Sequence, residues 1–271
     1  MAYTFGAATG DDITWTESAS NYGSSARSSL VCGWWYPTTG PTATRCLWSF
    51  GTVNRCAIAT TSTSEISLFL NRTTPSQHTT SGLGLAVNRW HFIAVLGSFF
   101  NTGVVTNYRV WRGVDAETPS LVTVNVTTAG AGNSTGSTVA TIGNAGSAGT
   151  VAFEGQIGRF DFVTAVTADA LCRNGTGLIS AGDEFAIYTQ MVIPIWQGRM
   201  PTFYGSGTQS NNGITHTVVD LDNGAYGRTI RNGGTIITMD RGVTVSGATV
   251  SANRASIGQM RPVAWPDHLR R

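Results

Sequence analysis

Apolar residues along this chain recur at a spacing of two in short runs, and Gly, Pro, Asn or Ser closes almost every run. YTF, DITWT, SLVCGWWY, RCLWSFG, CAIAT, ISLFLN, RWHFIAVLGSFF, NYRVWRG, LVTVNV, TVATIG and IGRFDFV follow one another through the first two thirds of the sequence. Alternation of this kind puts every second side chain on one face of a pleated strand, so each run predicts a strand with one face turned to a core. Long helical periodicity is absent. Many strands joined by tight turns predict an all-β, two-sheet antiparallel sandwich.

One run breaks the rhythm. In FEGQIGRFDFVTAVTADAL, Phe160 and Phe162 are two apart and share a face, whereas Ile157 lies three before Phe160. The slip predicts a β-bulge near Gly158. Beyond it, Thr167 is placed to cap a short helical turn that ends with Leu171 on the inner side.

Composition sharpens this picture. The chain has 271 residues, 41% of them hydrophobic and 12% charged, with 33 Gly. That is enough to bury a sizeable core, and it favours strands and turns over helices. All 17 basic residues are Arg, they are scattered, and the net charge is +2, so no nucleic-acid groove is expected. HFIAVLGSFF is too short to span a bilayer, and no membrane partner is expected. MAYTFGAATGDDITW lacks a basic and an apolar leader region, so export by the usual route is not expected.

Candidate chemistry is sparse. Cys32, Cys46, Cys56 and Cys172 have no CxxC spacing and read as small buried hydrophobes, with a Cys46–Cys56 disulfide across a hairpin as the alternative. Asp115 with Glu117, and Asp220 with Asp222, are each two apart, but no third acid completes a glycosidase set and both pairs read as turn carboxylates. DLDNG begins like a calcium loop, yet Arg231 stands where the closing Glu belongs. GNSTG matches the nucleophile-elbow pattern at Ser134 without the strand and helix that hold it. His78, His91, His216 and His268 have no metal or triad spacing; His91, beside Trp90 on a strand, packs or points to solvent. The expectation is a protein that is not an enzyme and takes no metal or cofactor.

The order of the blocks SLVCGWWYP, RCLWSFG with ISLFLN, NRWHFIAVLGSFFNTGVVTNYRVWRG and TIGNAGSAGTVAFEGQIGRFDFVTAVTADAL resembles the concanavalin A-like, laminin G-like jelly-roll family between Tyr3 and Pro194. The resemblance implies two packed antiparallel sheets and a history of carbohydrate or protein binding. The start, the lone jelly roll, the Gly-rich tail and the ending RPVAWPDHLRR also resemble virion proteins of tailed bacteriophages.

Residues 1–190 are expected to form the jelly roll and 191–271 an extended, Gly-rich β arm that contacts an assembly. The arm has few large apolar residues to offset its ordering entropy, so it must lie along the sandwich or be ordered by a neighbouring chain. Its anchors are Trp196, Phe203, Tyr204 and Trp265. In CGWWYP, Trp34 and Trp35 point to opposite faces; one fills the core and the other needs a second partner. Trp35 and Tyr36 are the candidate contacts for a glycan or a subunit. The expected function is a phage capsid decoration or cement protein, bound to the major capsid protein and to copies of itself as a homo-oligomer. It would reside in a virion assembled in the host cytoplasm. The alternative is an adhesin on the tail or capsid surface that recognises host surface glycans. A divergent glycan hydrolase comes third.

Overall fold

A computed structural model describes residues 2–6, 12–16, 29–40, 45–50, 56–60, 66–70, 76–80, 85–97, 108–128, 139–143, 151–165, 181–199, 214–220, 226–231, 237–241, 243–246 and 249–251. Its strands are, in chain order, β1 (Ala2–Phe5), β2 (Asp12–Thr16), β3 (Ser29–Pro37), β4 (Arg45–Phe50), β5 (Cys56–Thr60), β6 (Ile66–Leu70), β7 (Ser76–Thr80), β8 (His91–Gly97), β9 (Tyr108–Val114) and β10 (Ser120–Val122). They continue with β11 (Val124–Thr128), β12 (Val139–Ile142), β13 (Val151–Ala152), β14 (Gly155–Ala165), β15 (Ile214–Asp220), β16 (Tyr226–Arg231), β17 (Ile237–Arg241), β18 (Val243–Ser246) and β19 (Thr249–Ser251). A helical run lies between β14 and β15: α1 (Ala181–Ile187), a π-helical turn (Tyr188–Val192) and α2 (Ile193–Trp196).

The strands form two sheets that pack face to face, and the fold is an all-β antiparallel sandwich. One sheet has the order β10-β9-β8-β3-β14-β15-β16-β17, with β1 and β19 attached beside β14. The other has the order β11-β7-β6-β5-β4-β12-β2-β18, with β13 parallel to β4. Each predicted run contributes a strand, except that LVTVNV divides between β10 and β11, one in each sheet.

Alternation explains the core between the sheets. Val31 and Trp35 of β3, Ile93 and Val95 of β8, Tyr108 and Val110 of β9, and Ile157, Phe160 and Phe162 of β14 all turn inward. From the opposing sheet come Ile13, Leu47, Trp48, Ile66, Ala140 and Ile142. The ring of Trp48 stacks on Phe162 with centroids 5.5 Å apart, and Trp35 meets Phe160 edge-on at 6.4 Å. Gly33 makes room for this packing, since a Cβ there would lie 2.5 Å from the Trp35 ring.

The expected bulge is present. Ile157 pairs with Trp35 and Phe160 with Gly33, so three steps on β14 match two on β3 and keep Ile157 and both Phe rings on the inner face. At the same place the other edge of β14 changes partner, from β1 at Gly155–Ile157 to β15 at Phe160–Ala165. Thr167, Leu171 and Ser134 lie outside the described residues.

Two of the alternatives left open by the sequence are decided, and buried Cys32 and Cys46 fit the first reading of the cysteines. Cys46 is a free thiol, because the register sets it opposite Ala59 rather than Cys56. Burial pushes its pKa up to about 12, and burial raises that of Cys32 as well, so both thiols stay protonated and inert. His91 does not reach solvent; it is fully buried, and its Nε2–H donates to the Ala86 carbonyl at 2.8 Å. The helical run is continuous through residue 190.

Its π turn has a local cause. Pro194 lacks an N–H and its ring crowds the carbonyl one turn earlier, and a widened turn just before it relieves that contact. Accordingly Ile193 N–H donates to Tyr188 O, five residues back. The run ends in a Schellman cap, with Gly198 at φ 72°, Gly198 N–H donating to Ile195 O and Arg199 N–H to Pro194 O.

The strands of the arm pair with the chain's own sheets. Thr217–Val219 belong to β15 on β14, β18 lies against β2, and β19 lies against β1. Of the two arrangements expected for the arm, the described strands take the one along the sandwich. Among the described residues no helix is long and apolar enough to cross a membrane.

Candidate functional site

The outer face of β3, β8, β9 and β14 is as apolar as the inner one. Leu30, Cys32 and Trp34 of β3, Phe92, Ala94 and Leu96 of β8, Trp111 of β9 and Val163 of β14 form a second cluster with Ile187, Met191, Val192, Ile195 and Trp196 of the helical run. The spacing of Ile187, Met191 and Ile195 gives the run one apolar stripe, which settles on the sheet.

Two ion pairs fasten this cover. Arg159 grips the fully buried carboxylate of Asp161 with two bonds, Nε to Oδ2 at 2.7 Å and Nη2 to Oδ1 at 2.6 Å. Its Nη1 then donates to Gly198 O at 2.8 Å, at the C-terminal end of the run where a cation complements the helix dipole. Near the other end, Arg109 Nε donates to Glu184 Oε2 at 2.5 Å.

The cover stops short at the β9–β10 edge and leaves an open cleft of about 460 Å³. Its base is Trp111 and Leu121, directly opposed on β9 and β10. Its wall is Glu184, Phe185 and Tyr188; Glu184 and Tyr188 are four apart and so share a helix face. Tyr188 stacks on Trp111 with centroids 6.2 Å apart at 27°, and its hydroxyl donates to Pro119 O at 2.7 Å. Burial raises the Tyr188 pKa, which keeps the phenol protonated as the donor. The apolar surface is unusually open: Phe185 is 70% and Leu121 50% exposed. Thr118 and Ser120 add hydroxyls at the rim.

The residues singled out from the sequence fall elsewhere. Trp35 is 1% exposed and belongs to the inner core, so of the vicinal pair it is Trp34 that faces outward, where the helical run covers it. Tyr36 is half-buried on the outer side, its ring 5.4 Å from Trp90. Trp196 is 7% exposed in the outer cluster, which brings it and Tyr36 to the same face. Phe203, Tyr204 and Trp265 lie outside the described residues. Asp115 and Glu117 do sit in a turn, where Asp115 accepts from Trp90 N–H at 3.0 Å and pairs with Arg89 at 2.7 Å. Asp222 lies outside the described residues, and Asp220 ends β15. Among the described residues no group of three His, Cys, Asp or Glu is placed to hold a metal.

Sequence reasoning missed the cleft residues. The signal for the wall was Glu184, Tyr188 and the Ile187, Met191, Ile195 spacing. For the base it was Trp111 alternating with Arg109 in YRVWRG.

No protein-family model matches the chain, and no curated protein matches it. Among solved structures it is similar to a native heptameric SAP-like pentraxin from Limulus polyphemus, at 12% identity and a TM-score of 0.38, over 59% of this chain and 74% of that one. It is similar to domains LG4-5 of the mouse laminin α1 chain at 11% identity and a TM-score of 0.39, over 59% and 41%. It is also similar to the binding domain of botulinum neurotoxin DC in complex with SialylT, at 10% identity and a TM-score of 0.34, over 90% and 74%. At these values the likeness carries nothing about what this chain binds.

Proposed function

We propose that this chain is a non-enzymatic carbohydrate-binding module, and that the cleft between α1 and the β9–β10 hairpin holds the sugar. The observation that carries this reading is the exposed aromatic and aliphatic lining around Trp111. A pyranose has an apolar C–H face that stacks on such rings, and its hydroxyls need a few polar groups nearby, here Glu184, Thr118 and Ser120. The volume of about 460 Å³ suits one or two sugar rings. Binding is favoured over hydrolysis because one carboxylate lines the cleft among the described residues, while glycosidic cleavage uses two across the bond. A glycan array followed by calorimetric titration of the hits tests the reading. Trp111→Ala is expected to weaken binding by about tenfold or more, with no release of reducing sugar by either protein. A blank array, or hits indifferent to Trp111→Ala, overturns it.

A different observation favours a structural role in a virion. β17 ends the larger sheet, and its outer edge is unpaired among the described residues. Such an edge accepts an added strand from a neighbour. In this second reading the chain decorates a phage capsid through the major capsid protein or copies of itself, with Phe203, Tyr204 and Trp265 as anchors. Its test is occupancy on purified particles. Loss of occupancy with a Pro placed at Thr238 supports it, and absence from particles rules it out.

A further inference from the structure

We infer that the cleft selects neutral glycans over acidic ones, and that Glu184 is the residue that sets this selectivity. The inference rests on the reading of the cleft as a sugar site and adds the class of sugar.

The cleft presents a negative charge. Glu184 lines it, whereas its partner Arg109 is not among the lining residues. Arg109 is turned toward the sheet: its Nε holds Glu184 Oε2, and its Nη1 donates to the Tyr108 carbonyl at 2.9 Å. The pair is neutral as a whole, but a ligand meets the carboxylate first. The rings of Trp111, Tyr188 and Phe185 present faces that carry the negative part of the aromatic quadrupole. A sugar carboxylate, sulfate or phosphate brought onto these faces would be stripped of water beside a like charge, with no cation among the described lining residues to receive it.

A neutral pyranose meets no such penalty. Its hydroxyls donate to the Glu184 carboxylate in charge-assisted hydrogen bonds, which are stronger than neutral ones. Arg109 holds that carboxylate in place, so the acceptor is oriented before the sugar arrives. Arg109 is therefore a positioning residue, and Glu184 the group that touches the ligand.

The test uses the full chain and matched pairs of oligosaccharides that differ only in one acidic group, such as a hexose and its uronic acid. Wild-type protein is expected to bind the neutral member about tenfold or more tightly at low salt, and the ratio is expected to shrink as ionic strength rises. Glu184→Gln preserves shape and removes the negative charge that lines the cleft. The acidic member should then gain about tenfold while the neutral one loses several-fold, which reverses the preference. Circular dichroism and the thermal midpoint confirm that the variant is folded. Equal affinity for both members in the wild type, with binding still abolished by Trp111→Ala, overturns the selectivity and leaves the sugar site standing. An unchanged ratio in folded Glu184→Gln also overturns it. If no sugar binds at all, both readings fall.

Discussion

On the inner face of β3, β8 and β14 lie Val31, Trp35, Ile93, Val95, Phe160 and Phe162; on the outer face lie Leu30, Trp34, Phe92, Leu96 and Val163. The two faces use the same residue types at the same spacing, and both are buried. What differs is the cover. A second sheet closes the inner face along its length, and its side chains interlock with those of the first. A single helical run closes the outer face. That run is about four turns long and packs on β3, β8, β9 and β14. It is tied down by the Arg109–Glu184 ion pair near one end and the Arg159 bond to Gly198 O at the other, and it leaves the β9–β10 edge open. The comparison teaches that a largely apolar sheet face is left as an open cleft where its cover ends, without any special motif in the strands themselves.

Four experiments can break or sharpen this contrast. The largest effect belongs to the inner face. Phe160→Ala removes a ring that touches both Trp35 and Trp48, and should cost about 4 kcal/mol in denaturant unfolding. A loss below about 1 kcal/mol would mean that the inner face packs no more tightly than the outer.

Almost as large is a pH effect at the end of the inner face. Burial lowers the His91 pKa from 6.5 to about 4. The unfolded state therefore takes up the proton first as pH falls. Stability is complete above pH 6.5, declines as pH drops toward about 4, and loses about 3 kcal/mol across that window. Unfolding at a series of pH values, with His91→Phe as the flattened control, measures it; a wild-type profile as flat as the control contradicts the burial.

On the outer face, Arg159→Ala leaves the Asp161 carboxylate buried without its closest cation and should cost about 3 kcal/mol. Amides of 193–199 should then exchange faster than those of β8. Uniform acceleration across both would show that the cover and the sheet open as one unit.

The smallest effect is Tyr188→Phe, which removes the bond to Pro119 O. It should cost about 1 kcal/mol, and stacking on Trp111 should survive, visible as unchanged near-ultraviolet dichroism.

The contrast also explains what could be read from the sequence. Two-residue alternation made β3, β8 and β14 legible, and the Ile157 to Phe160 slip made the bulge legible, because the inner face tolerates no polar intruder. Strand β7, SQHTT, was invisible: it has no apolar side chain, and Thr80 is buried because its hydroxyl accepts from Ile66 N–H at 3.0 Å. The helical run was obscured by its β-branched residues, by Pro194, and by a π turn that breaks the 3.6 period. Trp34 and Trp35 could be placed on opposite faces, but nothing in CGWWYP says which sheet face receives the second sheet. The candidate contact therefore fell on Trp35, which packs inside. The cleft joins β9–β10 to a helix far along the chain, and no local pattern reports such a meeting.

The change of partner along β14 sets an order in time. Tyr3 pairs with Ile157 on one side and with Val250 on the other. During synthesis β1 thus has neither neighbour until residue 157 has emerged, and lacks the second until residue 250 has. Sheets closed by such distant pairings fold slowly, since loop closure precedes the contacts that reward it. During synthesis β1 and the Ile157 end of β14 are open edges, exposed to strand exchange between nascent chains. Docking of β1 and β19 is then the closing event of folding, and a chain cut before Thr249 would leave one edge of β1 unpaired.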